Sequence, residues 1–382
     1  MFWMRVLLVS EYWPPHTQGG GEISAQMFAY YLREEGYEVD VVTSFFSDEE
    51  WGKSIEDGIN VFRLTKTGSN PESFIANVIR HTLYPLSVRT CLRKLDTKDC
   101  DIVVFMNGTS ALGYKKGSVP SIAQVNSPIF FTSDGRITGL GGIIGRPLSF
   151  LLMKWRQAAL RRFDVLVPNS EFMADRLFAL GFDKSKVVVV PNIVERCGYV
   201  TKKENKLLRI LYLGGYRKEK GVFVLLDALK RLSVLHQFKA SFYGDGPVKE
   251  EMRKYASNAI AINDAVSQDC VCMLIKEHDI IVYPSLLQEA MPRTVLEAML
   301  AGKVVVVSDR GGASSIIDQH INGVAYDGLD SYALEDALKG VLTAPSLRER
   351  VRRNAPKAVR AHLPQNVMKA FKKSLCILGI RV

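Results

Sequence analysis

Two carboxylates eight residues apart, Glu289 and Glu297, stand on either side of a proline in the stretch YPSLLQEAMPRTVLEAMLAGKVVVVSDRGG. Pro292 has no N–H and a backbone angle preset for a first helical position, and Gly302 follows Ala301 as a stop, so the spacing predicts a short helix from Pro292 to Ala301. That helix would open at the carboxyl end of the strand DIIVYPS, where free N–H groups and the positive end of the helix dipole favour phosphate. Carboxylates bordering such a seat are suited to holding hydroxyls. The plain alternative is that Glu289 only favours the dipole and Glu297 only faces water, and the rest of the chain must decide.

Two more stretches offer amides or cations for the same chemistry. Gly19, Gly20 and Gly21 lie between the strand-like MRVLLVS and an amphipathic helix ending near Gly36, where a ligand can approach the backbone closely, although a tight turn uses glycines equally well. The dinucleotide fingerprint G-x-G-x-x-G is not met there, which argues against a dehydrogenase. Further on, LLRILYLGGYRKEKGVFVLLDAL reads as strand, glycine turn, basic loop and helix, placing Arg217, Lys218 and Lys220 where a diphosphate could be neutralised. Solvated loop charge is the alternative.

The elements that must position these residues are legible as two series. MRVLLVS, YEVDVVT, DIVVFM, SIAQVN, DVLVPNS and KVVVVPN come first, then RILYLG, ASFYG, DIIVYPS and KVVVVS, each run followed by a helix-length segment. Continuous Val/Ile/Leu runs alternating with amphipathic helices indicate parallel sheets covered on both faces. The polar stretch ERCGYVTKKENK between the series marks a boundary, giving an amino-terminal domain over 1–195, a linker over 196–206, a second domain over 207–362 and an amphipathic carboxyl-terminal helix over 363–382 packing at the domain junction. The fold class is α/β, two doubly wound domains facing across a cleft, with ligands outside the carboxyl ends of the strands.

Composition fits this size and class. The 382 residues are too many for one ordinary core, and 47% hydrophobic with 24% charged residues is a globular balance. No run reaches the roughly 18 apolar residues of a membrane span, and the first residues read as a strand rather than a targeting segment. A net charge of +10 points to an anionic partner, but no groove-reading helix or aromatic-basic platform supports nucleic acid. Six scattered cysteines form no metal-site array and suggest reduced thiols in a cytoplasmic protein. The segment ITGLGGIIGRPLSFLLMKWRQAALRRF mixes Trp155 and leucines with Arg146, Lys154, Arg156, Arg161 and Arg162 and no acid. Its 146–162 part is a candidate for an anionic membrane surface, with Phe45, Phe46 and Trp51 as possible additions, the alternative being a core helix with a solvated basic face.

Taken in order, GGGE, EEGYEVDVVT, PNSEFM, VVVVPN, LYLGGYRKEKG, YGDGP, DIIVYPS and the Glu289–Glu297 element followed by EAMLAGKVVVVSDRGG resemble the family 4 retaining glycosyltransferases of the GT-B architecture nearly end to end. The resemblance implies transfer of a sugar from a nucleotide-sugar donor to a glycan or lipid-linked acceptor with retention at the anomeric carbon. It implies Glu297 at the ribose and Glu289 at the donor sugar or reacting face. Gly19, Gly20 and the backbone around Ala290 and Met291 would bind diphosphate and sugar, and Lys220 the leaving phosphate. No metal is expected: the one Asp-x-Asp triplet, Asp99 to Asp101, precedes a strand at its amino end. Three positions depart from the family pattern. Gly215 stands where an Arg is usual, so that Arg217 is the candidate replacement; Asn126 stands where a His often contacts donor sugar or acceptor; Ser315 stands where a Glu usually follows the glycine pair. The competing readings are a nucleotide-sugar binding protein without turnover, or another enzyme of this architecture such as an epimerase or a phosphorylase.

Overall fold

A computed structural model of the chain describes residues 4–16, 19–47, 50–66, 74–95, 99–127, 145–195 and 207–380. The expected linker 196–206 and the 137–144 part of the basic segment lie outside the described residues. The chain forms two compact units, Met1–Ile193 with Pro364–Val382, and Val194–Leu363. The two crossing points between them are tied, Val194 N–H donating to His362 O at 3.0 Å.

In the first unit the elements run β1 (Arg5–Val9), α1 (Gly20–Glu34), β2 (Glu38–Phe45), β3 (Gly52–Glu56), β4 (Ile59–Lys66), α2 (Phe74–Lys94), β5 (Ile102–Phe105), α3 (Gly108–Ala111), β6 (Ser121–Val125), α4 (Gly145–Leu160), β7 (Val165–Pro168) and α5 (Glu171–Ala179). The seven strands lie in the order β3-β4-β2-β1-β5-β6-β7, so the winding reverses between β1 and β5. All pairings are parallel except β3 with β4. That antiparallel edge has no counterpart in the sequence expectation. Asp57 and Gly58 make it, both at positive φ (48° and 74°), the backbone that a two-residue hairpin turn requires. The run KVVVVPN, expected as a strand, instead runs beside β7, with Val188 and Val190 donating to Leu166 O and Pro168 O. Leu166 and Val187 make an isolated parallel bridge, and Pro168, with no N–H, does not extend it into a strand.

The second unit comprises β8 (Arg209–Leu213), α6 (Val222–Leu232), β9 (Lys239–Tyr243), α7 (Lys249–Arg253), β10 (Ile260–Asn263), α8 (Gln268–Glu277), β11 (Ile280–Tyr283), α9 (Arg293–Leu300), β12 (Val304–Ser308), α10 (Gly312–Ser315), β13 (Val324–Tyr326), α11 (Ser331–Thr343) and α12 (Pro345–Ala358). Its sheet is wholly parallel, ordered β10-β9-β8-β11-β12-β13, with the reversal between β8 and β11. The edge strands β10 and β13 have four and three residues, too short to stand out as apolar runs. The valines of β12 are all fully buried, as expected of a strand covered on both faces.

Helix α13 (Pro364–Ile377) follows the second unit in sequence but belongs to the first. Expected at the domain junction, it sends Val367, Met368, Phe371 and Leu375 into the first unit's core, where the Phe371 ring stands edge-on to Phe28 at 5.0 Å. Lys372 pairs with Glu35 at 2.7 Å.

Candidate active site

In the second unit the predicted residues meet where the sheet reverses. The basic loop after β8 makes a short 3-10 turn at Lys218–Lys220, and Gly221 then takes a left-handed φ of 71° before α6. A Cβ on Gly221 would fall 1.8 Å from Pro284 O, so only glycine lets this loop lie on the end of β11. Leu286 N–H donates to Glu219 O at 3.0 Å and fixes the register of the two loops. Lys220 Nζ consequently sits 2.9 Å from Glu289 Oε1.

Glu289 is held from several sides. Ser285 Oγ donates to its Oε1 at 2.6 Å, Tyr283 is a further hydrogen-bond partner, and its side chain remains a quarter exposed. Burial works to raise its pKa, but the Lys220 charge and the Ser285 and Tyr283 hydrogen bonds outweigh it and the pKa falls below the ordinary value. The carboxylate is ionised at neutral pH. Tyr283 is pushed in the other direction, first by burial and then by the Glu289 charge.

Helix α9 begins at Arg293 with Pro292 as its cap residue, one position later than the spacing predicts, and stops at Ala301 with Gly302 at φ 68°. Glu297 is not solvated: it is 7% exposed and accepts from Arg293 at 2.9 Å, both side chains at or below a tenth exposed. Ala290 and Met291 are buried in the turn before the helix. That turn is clamped by Gly311 and Gly312, whose Cβ atoms would lie 2.7 Å from Glu289 O and 1.6 Å from Ala290 O, and Gly312 N–H donates to Glu289 O at 2.8 Å. Ser315 folds back on its own helical turn, donating to Gly312 O. Arg217 stays further out, a third exposed and 4.0 Å from Glu219.

In the first unit Gly19 and Gly20 open α1 as predicted, but the Gly19 N–H is already taken by Glu22 Oε2 at 3.0 Å. Burial raises the Glu22 pKa. Asn126 follows β6 and donates to Met106 O at 2.8 Å, with the Gly21 backbone beside it. Asp101 caps the amino end of the sheet, accepting from Arg5 N–H at 2.7 Å.

Sequence reasoning missed three partners. Arg293 was readable from its i,i+4 spacing to Glu297. Ser285 was readable from its place four residues before Glu289. The buried Glu11, gripped by Arg80 at 2.7 and 2.9 Å, joins residues 69 apart and left no local signal. The basic segment also differs from expectation. Arg161 donates to Leu180 O and Gly181 O and lies over Phe182, closing the end of α5, and Arg156 carries a shielded Nε. Among the described side chains of α4, Phe150, Leu151 and Trp155 are exposed apolar residues, with Lys154 and Arg162 exposed nearby. Phe46 stacks on Tyr12, while Trp51 is exposed.

Residues 183–358 match the family model Glycosyl transferases group 1, and residues 18–196 match that of Glycosyltransferase Family 4. An uncharacterized glycosyltransferase of Methanocaldococcus jannaschii is 24% identical over 93% of each chain. The lipopolysaccharide 1,2-N-acetylglucosaminetransferase of Salmonella typhimurium is 29% identical over 30% of this chain and 33% of its own. HepE of Anabaena, solved with UDP-glucose, shares the fold with a TM-score of 0.73 at 15% identity, covering 98% of this chain and 99% of that one.

Proposed function

Because this chain belongs to the group 1 glycosyltransferases of family 4, with their GT-B fold, we propose that it transfers a sugar from a nucleotide-sugar to a glycan or lipid-linked acceptor, retaining the anomeric configuration. The observation that carries this reading is the meeting of Lys220 and Glu289 at the reversal of the second sheet, with Glu297 on the helix that follows. Ligands of open α/β sheets bind at that kind of place. Breaking the sugar–phosphate bond leaves negative charge on the departing diphosphate, and a barrier of that kind falls when fixed dipoles and cations already point at the charge. Lys220, the amides of Ala290 and Met291 and the amino end of α9 supply them, with Arg217 at the rim. No metal is assigned a part.

Glu289 faces the donor sugar in this reading, and Asn126, in the first unit, stands at the position of the family's usual His. Glu297, fixed by Arg293, accepts from the ribose hydroxyls. The test is a screen of UDP-, GDP- and ADP-sugars for thermal stabilisation, starting with UDP-glucose because HepE was solved with it. Product NMR on the donor that binds then reads the anomer, and the same assay with EDTA reads the metal question. Stabilisation by none of the three classes overturns the proposal, whereas binding without transfer to any acceptor favours the carrier without turnover.

The kinship with a lipopolysaccharide enzyme supports an acceptor of the cell-envelope polysaccharide class. We place the work at the cytoplasmic membrane face, with Leu151, Trp155, Lys154 and Arg162 of the α4 region against anionic lipid. No helix among the described residues is long and apolar enough to cross a membrane. L151S/W155S with K154E should abolish sedimentation with phosphatidylglycerol vesicles, and unchanged sedimentation removes lipid from the account.

A further inference from the structure

The first unit holds a charge cluster that donor chemistry leaves unused. Glu11, two residues beyond β1, is fully buried, and Arg80 from α2 grips its carboxylate through Nε and a terminal nitrogen. Burial works against the Arg80 charge, but the Glu11 carboxylate beside it prevails and keeps the guanidinium protonated. Arg80 also lies 5.6 Å above the Tyr12 ring, so it is held from two sides.

Arg156 on α4 is gripped by no carboxylate in this way among the described residues. Helix α4 joins the parallel strands β6 and β7, so it must run back against the strand direction, and long helical side chains lean toward their helix's amino end. Arg156 therefore leans toward the carboxyl edge of the sheet, the edge where α/β sheets bind ligands, and is close enough to feel both Arg80 and Glu11. Its Nε is shielded from solvent and has no hydrogen-bond partner among the described residues. Burial and the neighbouring Arg80 lower its pKa to about 10, which still leaves it charged at neutral pH. A shielded cationic donor with no acceptor is unfavourable, and a second cation beside it makes it more so, whereas an anion with two oxygens fits a guanidinium fork. Glu11 feels Arg156 but does not answer it: Arg80 already holds both its oxygens, and one carboxylate balances only one of the two guanidinium charges.

We propose that Arg156 is the anion-recognising residue of an acceptor subsite on the first unit, binding a phosphate or carboxylate group carried by the acceptor beside the fixed Arg80–Glu11 pair. The proposal deepens the glycosyltransferase reading and rests on it for the word acceptor. It makes the acceptor an acidic sugar or a sugar phosphate rather than a neutral glycan.

Isothermal calorimetry of the full chain with glucose 6-phosphate, glucuronate and glucose tests it. The better anionic probe should bind about tenfold or more tightly than glucose, as a charge-assisted bidentate contact predicts, and whichever acid binds better identifies the group. Arg156→Gln should remove the preference and Arg156→Lys should keep part of it, while Lys220→Ala in the second unit should leave it intact. No preference in the unsubstituted chain, an unchanged preference in Arg156→Gln, or its loss in Lys220→Ala overturns the proposal. If Arg156→Gln does not fold, phenylglyoxal labelling of the unsubstituted chain followed by mass spectrometry serves instead. Glucose 6-phosphate or glucuronate should protect Arg156, and an unchanged labelling rate with both overturns the subsite. Failure of nucleotide-sugars to stabilise the unsubstituted chain is a separate result, which counts against the glycosyltransferase reading and not against anion binding at Arg156.

Discussion

The carboxyl edges of the two sheets are built on the same plan and finished differently. In the second unit, loops touch backbone to backbone wherever a glycine permits it: Gly221 on Pro284, Gly244 on Gly214, Gly312 on Ala290, each with less than 2 Å of room for a Cβ. Its carboxylates are answered, Glu289 by Lys220 and Glu297 by Arg293. In the first unit, Gly19 has nothing within 4 Å of a would-be Cβ, Gly21 meets Asn126 only at 4.0 Å, and the shielded Nε of Arg156 has no partner among the described residues. One edge thus has its loops already locked together, whereas the described glycines α1 begins with in the other are not pressed against neighbours. A nucleotide has an invariant shape and rewards a rigid seat, whereas acceptors differ from enzyme to enzyme.

The strongest way to break this contrast is a methyl group. Gly312→Ala forces the Ala290 carbonyl aside and should destabilise the second unit by roughly 3 kcal/mol or more, while Gly19→Ala should stay within about 1 kcal/mol. Calorimetric melting reads both, and similar losses would dissolve the distinction. Next in size is Glu297→Ala, which removes the carboxylate facing the buried Arg293 and should cost about 3 kcal/mol, with nucleotide affinity falling at least roughly tenfold. Arg293→Ala added to it should recover part of the stability and none of the affinity.

On the proposed reading, which puts Glu289 at the reacting face, Glu289→Gln should lower turnover by about a hundredfold and leave nucleotide affinity within roughly threefold. Equal losses in both would move Glu289 into simple binding. The smallest effect concerns pH. The pKa of Glu289 is depressed in the folded chain, so its contribution is present above the ordinary carboxylate value of about 4.3 and disappears as pH falls through the lowered one. In Lys220→Met burial would prevail, the pKa would rise, and the loss should begin at higher pH in acid-unfolding curves. An unshifted acid limb would show that Lys220 does not govern the site.

Much of the prepared edge was legible because its signals are local. Proline and glycine punctuation placed α9 within one residue, and Val-rich runs marked the central strands. The edges of both sheets were not: β10 and β13 are too short for periodicity to speak, and the Asp57–Gly58 hairpin was readable only from a dipeptide. Pairings across long sequence separations, Lys220 with Glu289 or Arg80 with Glu11, depend on which strands become neighbours, which no window of sequence contains. The basic helix shows another limit. Spacing says which residues share a face of α4, but with cations on every face it does not say that Arg156 turns inward and Arg161 closes a neighbouring helix.

Helix α13 sets an order on the birth of the molecule. The second unit is one uninterrupted piece, Val194–Leu363, and can close its core while the ribosome is still at work. The first unit cannot, because Phe28 and its neighbours wait for Phe371 and Leu375, which are synthesised only after the whole of the second unit. The rigid seat is therefore finished first, and the open edge last.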